Sequence, residues 1–369
     1  MAVRQIIAQQ PGDLSLGNLV TNVKAQWPLL TNEQVISVVR SLNSDFGVLE
    51  PLAGPLSNHD VTDIVINGFS QVFVDDGSGL QEIDSPWESE SELRRFAQSL
   101  ADSCDRKLDI LNPFVDLQLP GGIRAHVVVP PITHKGTHIS LRIARANNRT
   151  LDDLLSQQST LVVEIMRNII LKRLSFIVCG ATGSGKTTLL RAMLREVDAH
   201  ERIVVIEDVQ ELNLDHDHAI SLQGRIPNSE DAGEVTMRHL VRQSLRMRPD
   251  RIVVGEVRGV EVIELFTAMN TGHQGSATTL HANSCSDVIS RLHMLGMLAG
   301  VASQAIHAQI ASALDVVIEV KRMNNFRVVT EIGIIASDAS NKAEYIPAIT
   351  FQPDLEVHAG LELLGMSLT

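Results

Sequence analysis

The chain has 369 residues, enough for two domains with separate cores, and a formal net charge of −13. An acidic chain with only 3% aromatic residues is a poor general binder of nucleic acid, because phosphate contacts need clustered cations and base stacking needs rings. A hydrophobic content of 44% excludes large-scale disorder, and three scattered cysteines are too few for a disulfide scaffold or a four-cysteine zinc site.

The first 56 residues are predicted to form a helical segment followed by a linker. No long apolar run opens the chain, so no secretory signal is expected. Thr31 or Asn32 can cap a helix, and two prolines and a glycine between residues 50 and 60 are typical of a linker. The apolar stripe that predicts the helix consists of Val35, Val38, Val39 and Leu42.

Residues 57–147 are predicted to form a small α+β domain. The segments VTDIVING, QVFVDD, IRAHVVV and HISLRIA have the short or alternating apolar patterns of strands, and residues 88–104 have the pattern of an amphipathic helix. The polar stretch 148–159 that follows is expected to contain a hinge between domains.

Residues 160–369 are predicted to form an α/β domain. The apolar runs LSFIVC, RIVVIE, RIVVGE, SATTL and DVVIEV are typical of strands in a covered parallel sheet, and helical patterns separate them. Residues 292–314 carry no charged side chain, a length that could span a bilayer. Polar residues and two glycines interrupt this stretch, so we expect a buried amphipathic helix and a chain that does not cross a membrane.

A phosphate-binding loop follows the run LSFIVC directly, and a helical pattern follows the loop. The spacing matches G-x-x-x-x-G-K-[ST], in which backbone N–H groups and a lysine hold phosphates and a hydroxyl is placed to ligate Mg²⁺. Its candidate binding residues are Gly180, Ala181, Thr182, Gly183, Ser184, Gly185, Lys186, Thr187 and Thr188.

Acidic residues follow two of the predicted strands. Glu256 comes after RIVVGE, and Glu207 and Asp208 come after RIVVIE. Because ligands collect at the carboxyl ends of strands in open α/β sheets, these carboxylates are candidates for activating water and holding a metal ion beside the phosphate loop. A solvated strand end is the alternative interpretation of each pair.

A histidine and several arginines are further candidates. His281 follows SATTL and can act as a γ-phosphate sensor, with a purely structural histidine as the alternative and no second ligand at zinc-like spacing. Arg124 and Arg142 lie on alternating strands, where they are either a solvated face or cations delivered to the phosphates. A helical stripe of Arg238, Arg242 and Arg246 is either catalytic or a salt-bridged face.

Taken together, these motifs resemble those of the type II and type IV secretion and pilus ATPases. The motifs that carry the resemblance are GATGSGKTTLL, VIEDVQEL, RMRPDRIVVGEVRG, AMNTGHQGS and TLHAN, in this order. Within these ATPases the chain resembles most the CpaF-like branch of the tight-adherence (Flp) pilus systems. Two segments, VTDIVINGFSQVFVD and LPGGIRAHVVVPP, also resemble the N-terminal domain of that branch. The resemblance covers about residues 55–335.

The resemblance implies a RecA-like P-loop ATPase domain joined to a smaller PAS-like N-terminal domain. It implies a homo-hexamer that binds ATP and Mg²⁺ on the cytoplasmic face of the inner membrane, beside the platform proteins of a pilus or secretion system. The four-cysteine metal module of some secretion ATPases is missing from the sequence, which disfavours membership of the type II secretion branch and the binding of a zinc ion.

The same resemblance assigns roles to individual residues. Lys186 and Thr187 would hold phosphate and Mg²⁺, and Glu256 corresponds to the Walker B glutamate. Glu207 with Asp208 corresponds to the Asp box of the family, and His281 falls in its His box. Arg124 and Arg142 match arginines of the N-terminal domain that reach the nucleotide.

The sequence therefore predicts an ATP-hydrolysing motor for pilus assembly or protein secretion. Two alternatives remain: a DNA-translocating or helicase-like ring with the same engine, and a scaffold that binds nucleotide without hydrolysing it. The acidic charge weighs against the first, and the intact Lys186, Thr187 and Glu256 weigh against the second.

Overall fold

The computed structural model describes residues 47–58, 60–143, 149–225, 233–323, 326–351 and 356–363. The chain divides into two compact units, each with its own core. The first unit comprises Met1–Ala146 with Pro227–Gly233, and the second comprises Asn147–Ile226 with Glu234–Thr369. The predicted helix that contains Val35 lies outside the described residues.

A six-stranded antiparallel sheet forms the first unit, in the order β3-β2-β1-β6-β5-β4. The α+β prediction is confirmed, although β3 and β4 were not predicted; β3 has four residues, three of them exposed. The strands are β1 (Asp63–Asn67), β2 (Val72–Asp75), β3 (Leu80–Ile83), β4 (Phe114–Leu119), β5 (Ile123–Val128) and β6 (His138–Ile143). The helices are α1 (Ala53–Ser57) and α2 (Glu90–Ser103), with 3₁₀ turns at Gly47–Leu52 and Pro120–Gly122.

Helix α2 begins with a side-chain cap and covers the core of the first unit. The hydroxyl of Ser89 accepts a hydrogen bond from the backbone N–H of Glu92, which satisfies one of the free donors of the first turn. Leu93, Phe96 and Leu100 are buried on one face of the helix, and their spacing is the one that predicted it.

The linker predicted around residues 50–60 is wrong. Residues 47–57 form the 3₁₀ turn and α1, and Leu49, Leu52 and Leu56 are buried in the core of the first unit. Pro51 lies inside the 3₁₀ turn and Pro55 lies in the first turn of α1, so the two prolines belong to short helical turns instead of a free connection.

A nine-stranded mixed sheet forms the second unit, in the order β15-β14-β13-β12-β7-β11-β10-β8-β9. Six neighbouring strands are parallel to one another, in the order β12-β7-β11-β10-β8-β9. On the other side of β12, the strands β13, β14 and β15 extend the sheet with antiparallel pairing. The strands are β7 (Phe176–Cys179), β8 (Ile203–Glu207), β9 (Ala219–Gln223), β10 (Arg251–Val254), β11 (Ala277–Leu280), β12 (Val316–Met323), β13 (Phe326–Ser337), β14 (Ala343–Thr350) and β15 (Glu356–Val357).

Helices cover both faces of this sheet. Along β7, Phe176 and Val178 belong to one apolar core while Ile177 and Cys179 belong to the other, as the strand period of two requires. The helices of the second unit are α3 (Leu151–Leu154), α4 (Thr160–Leu171), α5 (Lys186–Leu194), α6 (Met237–Ser244), α7 (Val262–Asn270), α8 (Asp287–Leu298), α9 (Ser303–Ala313) and α10 (Gly360–Leu363).

One prediction for the second unit needs correction. The stretch 148–159 is not a polar hinge along its whole length, because a Thr150–Asp153 capping box starts α3, whose Leu151 and Leu154 are buried in the core. The amphipathic helix expected within residues 292–314 is α9, with Ile306, Ile310 and Ala313 buried, and Gly300, which has a φ of 80°, separates it from α8. None of the helices in the described ranges is long and apolar enough to cross a bilayer.

Candidate phosphate-binding and catalytic site

The phosphate loop lies at the carboxyl edge of the sheet, between buried β7 and the N-terminus of α5. Gly180 and Gly185 have φ values of 150° and 102°, in the region that favours glycine. A Cβ on Gly180 would collide with the carbonyl oxygen of Val320, so the loop can pass close to β12 only with glycine there. The loop therefore depends on glycine at these positions for its backbone conformation.

The loop fits a phosphate group by its own polar atoms. The hydroxyl of Ser184 is buried and has no hydrogen-bond partner among the described residues. A buried, unpaired hydroxyl is unfavourable unless a ligand satisfies it. The N-terminus of α5 adds positive potential at the same point. This chemistry suits an anion such as a nucleotide phosphate.

Lys186 is the buried cation of the site. Its Nζ donates hydrogen bonds to the carbonyl oxygens of Gly180, at 3.1 Å, and Ala181, at 2.9 Å. Nζ also lies 3.2 Å from Nδ1 of His281. Burial lowers the pKa of Lys186, although the Glu256 carboxylate opposes this shift. The ammonium is thus held inside the loop at the point where phosphate oxygens would meet it.

His281 connects Lys186 to Glu256. The register between β7 and β11 pairs Cys179 with Leu280, which places His281 beside the start of the loop. Burial and the neighbouring Lys186 ammonium lower the pKa of His281, so its ring is neutral near pH 7. Because the ammonium can only donate, Nδ1 accepts and the ring proton lies on Nε2, which is 2.7 Å from Oε1 of Glu256.

Glu256 is positioned by hydrogen bonds between its flanking residues and β11. The hydroxyl of Thr279 donates to the carbonyl of Gly255 at 2.8 Å, and the N–H of Val257 donates to the carbonyl of Thr279 at 3.0 Å. Arg258 donates to Oε2 of Glu256 at 2.6 Å. Oε1 is buried against Nε2 of His281, and no donor in the described ranges is aligned well enough for a hydrogen bond to it.

Glu207 lies in a buried site beside Gly255. A Cβ on Gly255 would be 2.8 Å from Cγ of Glu207, so the glycine makes room for this side chain. Oε1 of Glu207 accepts hydrogen bonds from the backbone N–H groups of Glu211 and Leu212 at 3.1 and 3.0 Å. Burial outweighs these bonds and raises the pKa of Glu207 to about 7.

The raised pKa of Glu207 predicts a pH-dependent stability. Its pKa is 4.5 in the absence of burial, so between about pH 4.5 and 7 the folded state binds more protons than the unfolded state. The free energy of unfolding therefore falls as pH rises through this range, by about 3 kcal/mol from this group. We expect Glu207→Gln to remove that loss, since the amide oxygen can accept the same two hydrogen bonds.

The measurement is the free energy of unfolding by urea at pH 5 and pH 8. The difference between Glu207→Gln and wild type should grow in favour of the variant at the higher pH. Glu164→Gln, at an exposed position on α4, is the control and should show no such pH-dependent difference. A constant difference between Glu207→Gln and wild type at both pH values would contradict the assignment.

The candidate Mg²⁺ ligands are spread around this edge of the sheet. Thr187 is partly exposed in the first turn of α5, and Thr188 follows it. Asp208 is exposed. The hydrogen bond with Glu256 raises the pKa of Arg258, and the charges of Glu256 and Asp208 add to this shift. Within the described ranges, no group of three His, Cys, Asp or Glu side chains could hold a metal ion. Nucleotide-bound Mg²⁺ needs only one or two protein oxygens, which Thr187, Asp208 and Glu256 could supply.

A cleft of about 550 Å³ opens on the His281 side of the loop. Ala181, Thr182 and His281 form one wall, and Arg291 and Met294 of α8 lie on the other. Space for a ligand therefore exists beside the chain of contacts from Lys186 to Glu256.

Two of the three arginines in the predicted helical stripe form ion pairs within the second unit. Arg238 and Arg242 of α6 donate to the same oxygen of Glu264 on α7, at 2.6 and 2.8 Å. Glu264 is almost fully buried, so these pairs compensate its charge. Arg246 lies beyond the end of α6 and outside this pairing.

Arg124 and Arg142 belong to the first unit. They lie directly opposite each other on β5 and β6, and their strand neighbours Ile123, Ala125, Leu141 and Ile143 are buried. Both arginines therefore lie on the face of the sheet away from the core, as the alternation predicts. Their function remains a prediction.

One residue of the site was not predicted from the sequence. Arg258 lies two residues after Glu256 and donates a hydrogen bond to it. The Glu261 carboxylate accepts hydrogen bonds from the backbone N–H groups of Arg258 and Gly259, which restrains this turn. The motif RIVVGEVRG contains this arginine, so its proximity to Glu256 in the sequence was the available signal.

The chain is similar to known proteins over most of its length. The sequence matches the family model described as "Type II/IV secretion system protein" over residues 47–331. A Mycobacterium tuberculosis protein, provisionally named for conjugal transfer, is 44% identical over 305 residues, which cover 80% of this chain and 86% of that protein. The type IV secretion system protein PtlH of Bordetella pertussis is 32% identical over 313 residues, which cover 77% of this chain and 91% of PtlH.

Solved structures confirm the predicted fold. The pilus retraction motor PilT with bound ADP has a TM-score of 0.58 and 23% identity, and the match covers 80% of this chain and 84% of PilT. The Legionella pneumophila ATPase DotB has a TM-score of 0.55 and 22% identity, with coverage of 75% and 77%. At these identities the likeness concerns the fold, a RecA-like α/β ATPase domain with a smaller second domain.

Proposed function

The chain belongs to the type II/IV secretion system protein family, and we propose that it is an ATP-hydrolysing hexameric motor for pilus assembly or protein secretion. The observation that carries this proposal is the continuous set of contacts from the phosphate-loop Lys186 through His281 to Glu256. A scaffold that only binds nucleotide has no need for a carboxylate linked in this way to the lysine that holds phosphate.

We assign the steps of hydrolysis to residues of this edge of the sheet. ATP, bound with Mg²⁺, supplies the phosphoanhydride bond that is broken. Lys186 binds the outer phosphates, and Oε1 of Glu256 orients and deprotonates the attacking water. Arg258 restrains Glu256 through Oε2, and Oε1 accepts no aligned hydrogen bond within the described residues. His281 reports to Glu256 whether Lys186 is engaged by phosphate, because it contacts both side chains.

The finer proposals concern the assembly. We place the motor in the CpaF-like branch of the tight-adherence pilus ATPases, as a homo-hexamer at the inner face of the cytoplasmic membrane beside platform proteins. The motifs of the first unit and the absence of a four-cysteine module in the sequence support this placement. Arg124 and Arg142 would reach the nucleotide when the domains close, and closure would transmit force to the membrane partner.

The test of this function separates nucleotide binding from hydrolysis. Glu256→Gln keeps the shape of the side chain but removes its charge, so the variant should bind ATP and hydrolyse it about a hundredfold or more slowly than wild type. Equilibrium dialysis with ATP and a steady-state phosphate-release assay measure the two properties separately.

Glu164→Gln is the matched control, since it makes the same change at an exposed position outside the site. The control should turn over ATP at the wild-type rate. If Glu256→Gln also keeps the wild-type rate, Glu256 does not activate water and Glu207 becomes the alternative residue for that role.

A second candidate function is favoured by the name of one relative. The mycobacterial protein that is 44% identical is named for conjugal transfer, so a motor that moves DNA is the alternative. The net charge of −13 weighs against direct contact with DNA. Hydrolysis stimulated severalfold by single- or double-stranded DNA would favour this alternative, and an unchanged rate would favour the pilus or secretion motor.

A further inference from the structure

The side chain of Arg327 packs directly on the phosphate loop. Arg327 lies at the start of β13, far from the loop in the sequence. A Cβ built on Gly185 would lie 2.5 Å from Cγ and 3.2 Å from Nε of Arg327. The stem of this arginine therefore occupies the space above Gly185, and its guanidinium group lies next to the residue that precedes Lys186.

The guanidinium group of Arg327 has an unpaired donor. Its Nε is buried and has no hydrogen-bond partner in the part of the chain that the structure describes. Burial lowers the pKa of Arg327, and the two other charged groups that lower it further, Arg322 and Arg149, are both cations. An arginine donor in these surroundings lacks an anion.

The strand register adds to this concentration of positive charge. Arg322 on β12 lies directly opposite Arg327 on β13. Like charges in directly opposite positions destabilise a pair of strands. In a chain with a net charge of −13, this arrangement beside a phosphate loop indicates an anion-binding role more than a contribution to folding.

The sheet order tells which part of a nucleotide Arg327 would meet. β12 is parallel to β7 and β13 is antiparallel, so the end of β12 and the start of β13 share the edge of the phosphate loop. β11 and β10, which precede His281 and Glu256, lie on the other side of β7. A nucleotide whose terminal phosphate is next to Glu256, and which extends along the loop away from it, would bring its nucleoside end towards Arg327.

We propose that Arg327 binds the phosphate nearest the nucleoside, on the side of the loop away from Glu256. This proposal rests on the nucleotide site proposed above. A guanidinium group can donate two parallel hydrogen bonds to a phosphate, and its fixed charge suits a contact made equally with ATP and ADP. Arg327 thus sets nucleotide affinity and takes no part in breaking the terminal bond.

The test is isothermal titration calorimetry of Arg327→Gln with MgADP and with the magnesium complex of a non-hydrolysable ATP analogue. We expect both dissociation constants to rise by the same factor, about tenfold or more, because a charged hydrogen bond is lost from each complex. Arg327→Lys should recover part of the affinity. Arg95→Gln, which removes an exposed arginine of α2, is the control and should bind both nucleotides as wild type does.

Thermal unfolding without nucleotide distinguishes binding from folding. The melting temperature of Arg327→Gln should not fall, since the change relieves repulsion with Arg322. Dissociation constants within about twofold of wild type, or a loss confined to the ATP analogue, would overturn the proposal. Lys186→Ala is the reference: if it weakens ADP binding while Arg327→Gln does not, only this inference fails, and if neither does, the nucleotide site itself fails.

Discussion

Lys186→Ala should lower kcat/KM for ATP hydrolysis by on the order of a thousandfold or more. The ammonium is held by two loop carbonyls and His281, at the point where the outer phosphates would bind. Its loss removes the buried counter-charge from both the bound nucleotide and the transition state. The measurement is steady-state phosphate release over a range of MgATP concentrations.

The variant should remain folded, because the loop lies at the edge of the sheet and the cores on both faces are untouched. Circular dichroism and thermal unfolding check this. Lys107→Ala removes an exposed lysine of the first unit and should hydrolyse ATP as wild type does. Wild-type turnover by Lys186→Ala would refute the assignment of the phosphate loop.

Arg124→Ala or Arg142→Ala should lower kcat by on the order of a thousandfold, as expected for an arginine that stabilises transition-state charge. Both side chains project from the sheet face opposite the core of the first unit, on rigid strands. Nucleotide affinity and stability should change little, because neither side chain packs in that core. Phosphate release at saturating ATP, together with ATP binding, measures this difference.

A solvated arginine would behave differently. Its replacement would change the stability by about 0.5 kcal/mol or less and leave turnover unaltered. Arg95→Ala supplies this reference, and light scattering shows whether the assembly persists in each variant. Undiminished hydrolysis in both Arg124→Ala and Arg142→Ala would show that these arginines only form a solvated face of the sheet. Arg246 would then be the next candidate for the catalytic arginine, since Arg238 and Arg242 already pair with Glu264.

Local patterns predicted the elements whose burial follows from their own residues. The run FIVC is apolar at all four positions of β7, and all four are buried. The strands β13 and β14 were not predicted, because apolar residues on both faces of a long hairpin give no clean alternation. The prolines near residue 50 misled the linker prediction, since only the tertiary core shows that Leu52 and Leu56 are buried.

The phosphate loop could be predicted from its motif, but the residues that surround the loop depend on the order of the strands in the sheet. Lys186 was predicted from the phosphate-loop motif, and His281 and Glu256 were predicted from strand-end positions. The parallel order β7-β11-β10 brings the three side chains together. Arg327 carried no local signal. Its place on Gly185 depends on the antiparallel pairing of β13 with β12, a contact between distant parts of the chain that no motif encodes.

The most direct measurement of the motor function is phosphate release from MgATP by the purified full-length chain, with its mass followed by light scattering. We predict many turnovers per chain, in the fractions whose mass corresponds to a hexamer, and loss of this activity in Lys186→Ala. Release no faster than that of Lys186→Ala in every fraction would contradict an ATP-hydrolysing motor.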